Sequence, residues 1–376
     1  MQKISAAFND VVAGYCDKND TINIHKLAYL TALDSVCMAT FEYPLNSLSG
    51  SKEGEEVYDC LYVQDEVYNV ANGISPPTAV NEEQVKNAQL IYAGFIGKLF
   101  THVTASTSTH GVIAGLQKLQ KATSDNHLKS EIHVLFDHGV RLVASTIAWT
   151  LYSLAMYRSE RTSLEAAMMD SNSPDSSKQI NAFVKEVFRM FPPATFYSGI
   201  RTVENDYFRV KGGIDIPKNT ICHLDMFFYH SKIHGLGSWV DPRTFNSSRW
   251  LEDVVQTGKW TGHKSHPKCP FAAMFKLEDN DDNYYEGVGF TEGSLSYFPF
   301  LAGERSCPAK GLVLQVVRGI LHSVLLQYRL DLVNIKNKSD HQRQEFGYNL
   351  RRMLWPILKE STVMKVTKYA PADSDE

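Results

Sequence analysis

The chain has 376 residues, of which 43% are hydrophobic and 21% charged, with a formal net charge of -4. This is the composition of an ordinary globular protein with ample material for a core, and its charge balance offers nucleic acid no global attraction. No run of 18 or more apolar residues exists to span a membrane.

The N-terminal stretch MQKISAAFNDVVAGYCDKND lacks an apolar signal core. Its Val, Ala and Phe spacing predicts an amphipathic helix instead. Six cysteines (Cys16, Cys37, Cys60, Cys222, Cys269, Cys307) are scattered with no CxxC pair, which reads as reduced thiols rather than a disulfide framework. From Thr21 to Phe41, Ile24, Leu27, Leu30, Leu33 and Cys37 recur at helical spacing, with Thr21 or Asn23 as the cap. SLSGSKEGEEVYD reads as a polar, glycine-containing loop, residues 82 to 100 as a helix, and HVTASTSTHG as a connection.

Residues 131 to 157 form the longest periodic segment. Ile132, Leu135, Phe136, Gly139, Val140, Val143, Ile147 and Leu151 share one broad face, the pattern of a helix that crosses an interior. SNSPDSSKQ reads as a loop. Asn181 to Phe191 is helical and stops at Pro192-Pro193. Between residues 196 and 225 the period changes to short β-like runs separated by Asn, Gly-Gly and Pro turns. Residues 252 to 295 are rich in loop formers and include the acidic patch EDNDDNYYEG, which lacks an EF-hand spacing and reads as solvated surface. His263, His266 and Cys269 have a metal-like spacing, but three ligands among Lys and Pro neighbours read as a plain loop. From Pro308 to about Tyr328 runs an amphipathic helix, followed by short strands and a polar tail.

The segment FPFLAGERSCPAKGLVLQVV places one cysteine between a Gly/Arg loop and this last helix. Pro308 suits a first helical turn, so Cys307 reads as standing at the cap, near the free N–H groups and the positive end of the dipole. That setting favours a thiolate. No histidine base follows until His322, so a metal ligand fits better than a nucleophile. Gly303 lets the backbone approach a flat surface, Arg305 can pair with a carboxylate, and Phe300 can pack beneath a ligand. For a cysteine alone, burial at a helix start is the plainer account. Two more segments change the balance. Glu186 and Arg189 lie three apart on one helix face, about 120 residues before the cysteine. Arg249, in WVDPRTFNSSRW, lies between them and the cysteine. Three such groups form a worthwhile buried network only if fully satisfied.

Together these segments resemble the cytochrome P-450 family. FLAGERSCPA is similar to the family's haem-binding loop, F-x-x-G-x-R-x-C-x-G. Phe300, Gly303, Arg305 and Cys307 match it, and Ala309 stands where glycine is usual. KEVFRMFPP resembles the E-x-x-R helix, and DPRTFNSSRW the segment that completes the network of Glu186, Arg189 and Arg249. IRTVENDYFRVKGGIDIPKNTICHL resembles the strand region that follows the E-x-x-R helix, where Arg201 occupies a position that meets a haem propionate in many members. TALDSVCMATFEYPLNSL is similar to an early helix of eukaryotic members, with Glu42 where glycine is common.

The resemblance implies a mainly α fold with a small β region, a P-450-like haem-thiolate fold lacking its N-terminal portion. It would form one partial domain over 1–376, with distal helices in 1–130, the long central helix at 131–157 and a haem-binding half over 180–376. It further implies haem b (iron protoporphyrin IX) held by Cys307 and monooxygenation of a small apolar organic substrate. Electrons would come from NADPH through a separate reductase, since no nicotinamide motif is present. Full-length eukaryotic relatives sit on the endoplasmic reticulum through an N-terminal helix. This chain shows no such anchor, and its apolar helices leave peripheral membrane contact as the expectation.

Two departures stand out. Members usually carry Gly-x-Asp/Glu-Thr-Thr on the long helix. Placing Gly139 on the glycine puts Arg141 on the acid and Leu142 on the threonine, with Thr146 one turn later as a partial substitute. The family's usual leading segment also has no counterpart. These departures keep two alternatives open: a haem-thiolate isomerase or dehydratase acting on a hydroperoxide, and an inactive fragment that binds haem poorly.

Overall fold

The computed structural model describes residues 2–71, 75–169, 175–194, 196–200, 207–210, 214–226, 230, 241–251, 297, 299–301, 306–333, 339, 342–343 and 363–369. The chain divides into two compact units. The first comprises Met1–Leu151, Ala309–Asn334 and Ile357–Glu376, and the second Tyr152–Pro308 and Ile335–Pro356. Among the described residues the fold is mostly helical with small sheets, as the sequence predicts.

In the first unit, helix α1 (Gln2–Asp17) leads to strand β1 (Thr21–Asn23) and helix α2 (Ile24–Phe41). Of the two predicted caps, Thr21 and Asn23, the structure uses Asn23. Ile22 is drawn into pairing with Met364, and the helix begins at Ile24 with the Asn23 side chain accepting from the Lys26 N–H. Helix α2 is buried almost along its whole length. Its interior hydroxyls bond back one turn, Thr31 to the Leu27 carbonyl and Ser35 to the Thr31 carbonyl, both at 2.7 Å. Asp34 accepts the Ser47 and Leu48 N–H groups at 2.6 and 3.0 Å, holding a 3-10 turn at Ser47–Ser49.

Glu42 ends α2 in the left-handed region at φ 52°, and the Tyr43 N–H closes on the Cys37 carbonyl at 3.0 Å. This is the helix-end geometry that favours glycine. It gives a physical reason for the family's preference at this position. Glu42→Gly is expected to stabilise the protein by about 0.5–1 kcal/mol. The check is a higher urea midpoint at unchanged slope.

Helix α3 (Lys52–Ala71) occupies the stretch expected to be a loop. Its first half buries Val57, Tyr58, Cys60 and Leu61, whereas no residue from 62 to 71 is buried. Helix α4 (Glu82–Ala105) opens with a capping box between Asn81 and Gln84 and extends five residues past the expected end. Helix α5 (Gly111–Ala122) was not anticipated. Helix α6 (Asp125–Met156) is the long predicted helix, starting six residues earlier than expected. From Val143 to Met156 it is buried on every side. Gly139 of α6 packs on Val36 of α2. A Cβ there would lie 3.1 Å from a Val36 methyl, so this glycine has a packing role of its own.

Helix α9 (Lys310–Val324), numbered after two helices of the second unit, leads to strand β6 (Tyr328–Leu332). Strand β7 (Val363–Lys368) runs antiparallel between β1 and β6, pairing Ile22 with Met364 and Leu330 with Val366. Leu330, Leu332, Met364 and Val366 are buried, the alternation of a sheet with one covered face.

In the second unit, α7 (Arg158–Met169) packs on α8 (Asp175–Met190). Helix α8 starts inside the expected loop and ends just before Pro192-Pro193, whose rings disfavour helix in the residues ahead. Two nested hairpins follow. Strand β2 (Phe196–Ile200) pairs with β5 (Ile221–Asp225), and β3 (Tyr207–Val210) with β4 (Ile214–Pro217). A 3-10 turn at Ser247–Trp250 lies against α8. No helix among the described residues is long and apolar enough to cross a membrane.

Candidate haem-thiolate site

The second unit is organised around a buried carboxylate. Glu186 and Arg189, three apart on α8, are both fully buried. Arg189 donates from Nε to Glu186 Oε2 and from Nη2 to Oε1, both at 2.8 Å. Its remaining N–H groups go to the carbonyls of His230, Pro242 and Thr244 at 3.0, 2.9 and 3.1 Å. Arg249, from the 3-10 turn, donates from Nε to Glu186 Oε1 at 3.0 Å. The structure thus brings together the three residues that the sequence places in one network.

Two donors to Glu186 were missed. The Asn246 N–H reaches Oε1 at 2.9 Å, and Trp250 Nε1–H reaches Oε2 at 2.9 Å. A carboxylate has about four acceptor positions, so a buried one with two arginines still needs partners. Trp250, adjacent to Arg249 in SSRW, was the available signal. Burial alone pushes the Glu186 carboxyl up. The Arg189 and Arg249 charges and the hydrogen bonds outweigh it and hold the group below its usual value.

The cysteine loop lies on the same helix. The Phe300 ring meets Phe188 of α8 edge-on at 4.9 Å. The Cys307 N–H donates to the Phe300 carbonyl at 2.8 Å, closing a hairpin whose ends are the two predicted motif residues. Leu301 follows Phe300 at φ 60°, a left-handed conformation uncommon for a branched side chain. Cys307 is a free, part-buried thiol. The helix cap lies later than expected. Ala309, at φ -90° and ψ 6°, is the N-cap of α9, two residues beyond Cys307. That backbone is open to alanine, which accounts for a non-glycine residue here. Gly303, Arg305 and Arg201 lie outside the described residues, as do His263, His266 and Cys269.

A free, part-buried thiol on a hairpin pinned by its own main chain is chemically suited to a soft metal–thiolate bond, so these residues fit a haem iron.

In the first unit, Arg141 of α6 is engaged elsewhere. It donates to Asp137 Oδ1 at 3.0 Å and to Gln64 Oε1 at 2.8 Å, and pairs with Asp65 of α3. Tyr29 of α2 donates to the same Asp65. Thr146 is buried, and its hydroxyl donates to the Leu142 carbonyl at 2.8 Å.

Comparisons with known proteins identify the family. The family model described as Cytochrome P450 matches residues 1–352, nearly the whole chain, and the protein belongs to the cytochrome P450 family. It is similar to the dimethylnonatriene synthase of Arabidopsis thaliana, 30% identical over 159 residues, which are 42% of this chain and 23% of that protein. It is also similar to the cytochrome P450 monooxygenase alnD of Emericella nidulans, 23% identical over 282 residues, 70% of this chain and 43% of that protein. The matched stretches therefore span less than half of each of these relatives. Among solved structures, the haem domain of cytochrome P450DA superposes with a TM-score of 0.63 at 12% identity, covering 98% of this chain and 73% of that one. This likeness shows the fold, and family membership implies a haem cofactor.

Proposed function

We propose that the protein is a haem-thiolate monooxygenase in which the Cys307 thiolate would hold the iron of haem b. The observation that carries this is the Cys307–Phe300 hairpin, closed at 2.8 Å and docked on the helix that holds Glu186 and Arg189. Bound haem supplies the oxygen chemistry, and a thiolate ligand pushes electron density toward the iron and favours O–O cleavage. The chain's residues supply the setting. Phe300 fixes the loop on α8, and its carbonyl holds the Cys307 main chain. By the family resemblance, Arg305 and Arg201 would pair with the propionates. The substrate is a small apolar organic molecule, and electrons reach the site from NADPH through a separate reductase. The name of the Emericella relative, a monooxygenase, supports the reaction class.

A second reading is favoured by one observation. Where members of the family carry the acid, this chain carries Arg141, already held by Asp65, Asp137 and Gln64. Thr146 keeps its hydroxyl proton on the Leu142 carbonyl, and releasing it requires rotation of the side chain. Rearrangement of a hydroperoxide needs no external electrons and no such proton delivery. Turnover of a lipid hydroperoxide without NADPH and reductase separates this reading from the first.

The primary test is the carbon monoxide difference spectrum of the reduced, haem-loaded protein beside Cys307→Ala. The expected result is a red-shifted thiolate-type band that is absent from the variant. A band that survives the substitution, or no band in either protein, would reject Cys307 as the ligand and leave the inactive-fragment reading.

A further inference from the structure

Tyr297 lies three residues before Phe300 and joins two parts of the second unit. Its hydroxyl donates to the Lys185 carbonyl of α8 at 3.1 Å. Its ring meets Trp250 at 4.6 Å and His230 at 5.3 Å between centroids. Trp250 is the indole that donates to Glu186, and His230 is the residue whose carbonyl accepts from Arg189. Tyr297 therefore packs against both the carboxylate side and the arginine side of the buried network. It is itself buried. Burial and the nearby Glu186 charge push its phenol well above the usual value, so the hydroxyl remains a donor.

The spacing gives this contact a direction. Tyr297 attaches at Lys185 and Phe300 attaches at Phe188, so three residues of loop match three residues along one helix face. Pro299 lies between the two attachments and narrows the backbone choices there. A single apolar contact such as Phe300 on Phe188 tolerates sliding along the helix. A hydroxyl on one particular carbonyl does not. The Lys185 carbonyl can serve both its helical partner and Tyr297, because a carbonyl oxygen carries two lone pairs. Phe300 then passes the fixed position on through its own carbonyl to the Cys307 N–H.

We propose that Tyr297 is a positioning residue for Cys307. Its hydroxyl sets the register of the cysteine hairpin along α8 and couples that hairpin to the Glu186 network. The proposal builds on the reading of Cys307 as the iron ligand, and its test is arranged so that the two fail separately.

The test is Tyr297→Phe, which keeps the ring against Trp250 and His230 and removes only the hydroxyl. In the full chain without haem, thiol alkylation is followed cysteine by cysteine by mass spectrometry. Cys37 and Cys60, both buried, report opening of the first unit, and Cys222 on β5 reports opening of the second. Losing a hydrogen bond of ordinary net worth is expected to raise the Cys307 rate by about threefold to tenfold, with the other three unchanged. In the haem-loaded variant, a smaller share of the carbon monoxide complex is expected to show the thiolate-type band. An unchanged Cys307 rate would overturn the proposal. So would equal acceleration of Cys307 and Cys222, the mark of general destabilisation of the second unit. If the unsubstituted protein gives no thiolate-type band, the iron-ligand reading fails, while the alkylation rates still decide whether Tyr297 positions Cys307.

Discussion

Glu186→Ala is expected to reduce the stability of the protein by about 3–5 kcal/mol, enough to unfold a marginal chain at room temperature. The substitution leaves Arg189 and Arg249 buried side by side without their shared carboxylate. It also strands the Trp250 indole N–H and the Asn246 amide. The cost is that of unpaired buried charge rather than of one lost contact. The check is a urea titration followed by circular dichroism. A loss below about 1 kcal/mol would mean that the cluster rearranges to find other acceptors.

The same carboxylate predicts a pH dependence. In the folded protein Glu186 is held below its usual value, so it binds a proton less readily than in the unfolded chain. Its contribution is therefore fully present above the ordinary glutamate value, about pH 4.3, and is lost as pH falls through the lower folded value. Glu160 opposes it. Burial pushes Glu160 up in spite of its bonds from Ser247, so its contribution grows as pH falls. Glu186→Gln is expected to remove the first effect and weaken the second, because the Glu186 charge is one of the causes that hold Glu160 up. Urea midpoints of this variant should then fall less steeply with acid than those of the unsubstituted protein.

Arg141→Ala is the second substitution with a large expected effect, about 2–3 kcal/mol of lost stability. Arg141 is 11% exposed and stands between Asp137 of its own helix and Asp65 of α3. Removing it leaves two part-buried carboxylates without their cation. Burial already pushes Asp137 up. With its cation gone, Asp137 should still titrate higher when folded than when unfolded, so the deficit should shrink as pH falls toward the aspartate range. Urea midpoints at neutral pH and near pH 4.5 would show this. A deficit independent of pH would mean that Arg141 contributes through packing of its stem. Arg141→Asp should be more damaging still, since it gathers three carboxylates.

The parts of the fold that were legible carry their signal locally. Helix α6 shows an apolar face repeated over many turns, and α8 is bounded by a proline pair. The cysteine loop and the Glu186 network are legible because their residue types are unusual in combination. Helix α3 was hidden because only its first half is buried, and Glu53, Gly54, Glu55 and Glu56 at its start look like a loop. Strand β1 was hidden for another reason. Ile22 pairs with Met364, and no local period reports a partner so far along the chain. The late cap of α9 follows from backbone angles at Ala309 that the order of residues does not fix. Trp250 and Tyr297 were missed because an aromatic residue near a motif usually signals packing. That each also donates a hydrogen bond emerges only when a buried acceptor is placed beside it.

Strand β7 has a consequence for biosynthesis. It is the middle strand of its sheet, flanked by β1 and β6, yet it is formed by residues 363–368 of a 376-residue chain. During translation, β1 and β6 both leave the ribosome before the strand that joins them exists. At about 5–20 residues per second, β1 waits many seconds for its neighbour among the described strands. Over that interval its backbone is open to pairing with other chains. The first unit therefore gains this sheet only once β7 has been made, and a nascent chain held short of residue 363 should depend on chaperones in a way that a chain carrying β7 does not.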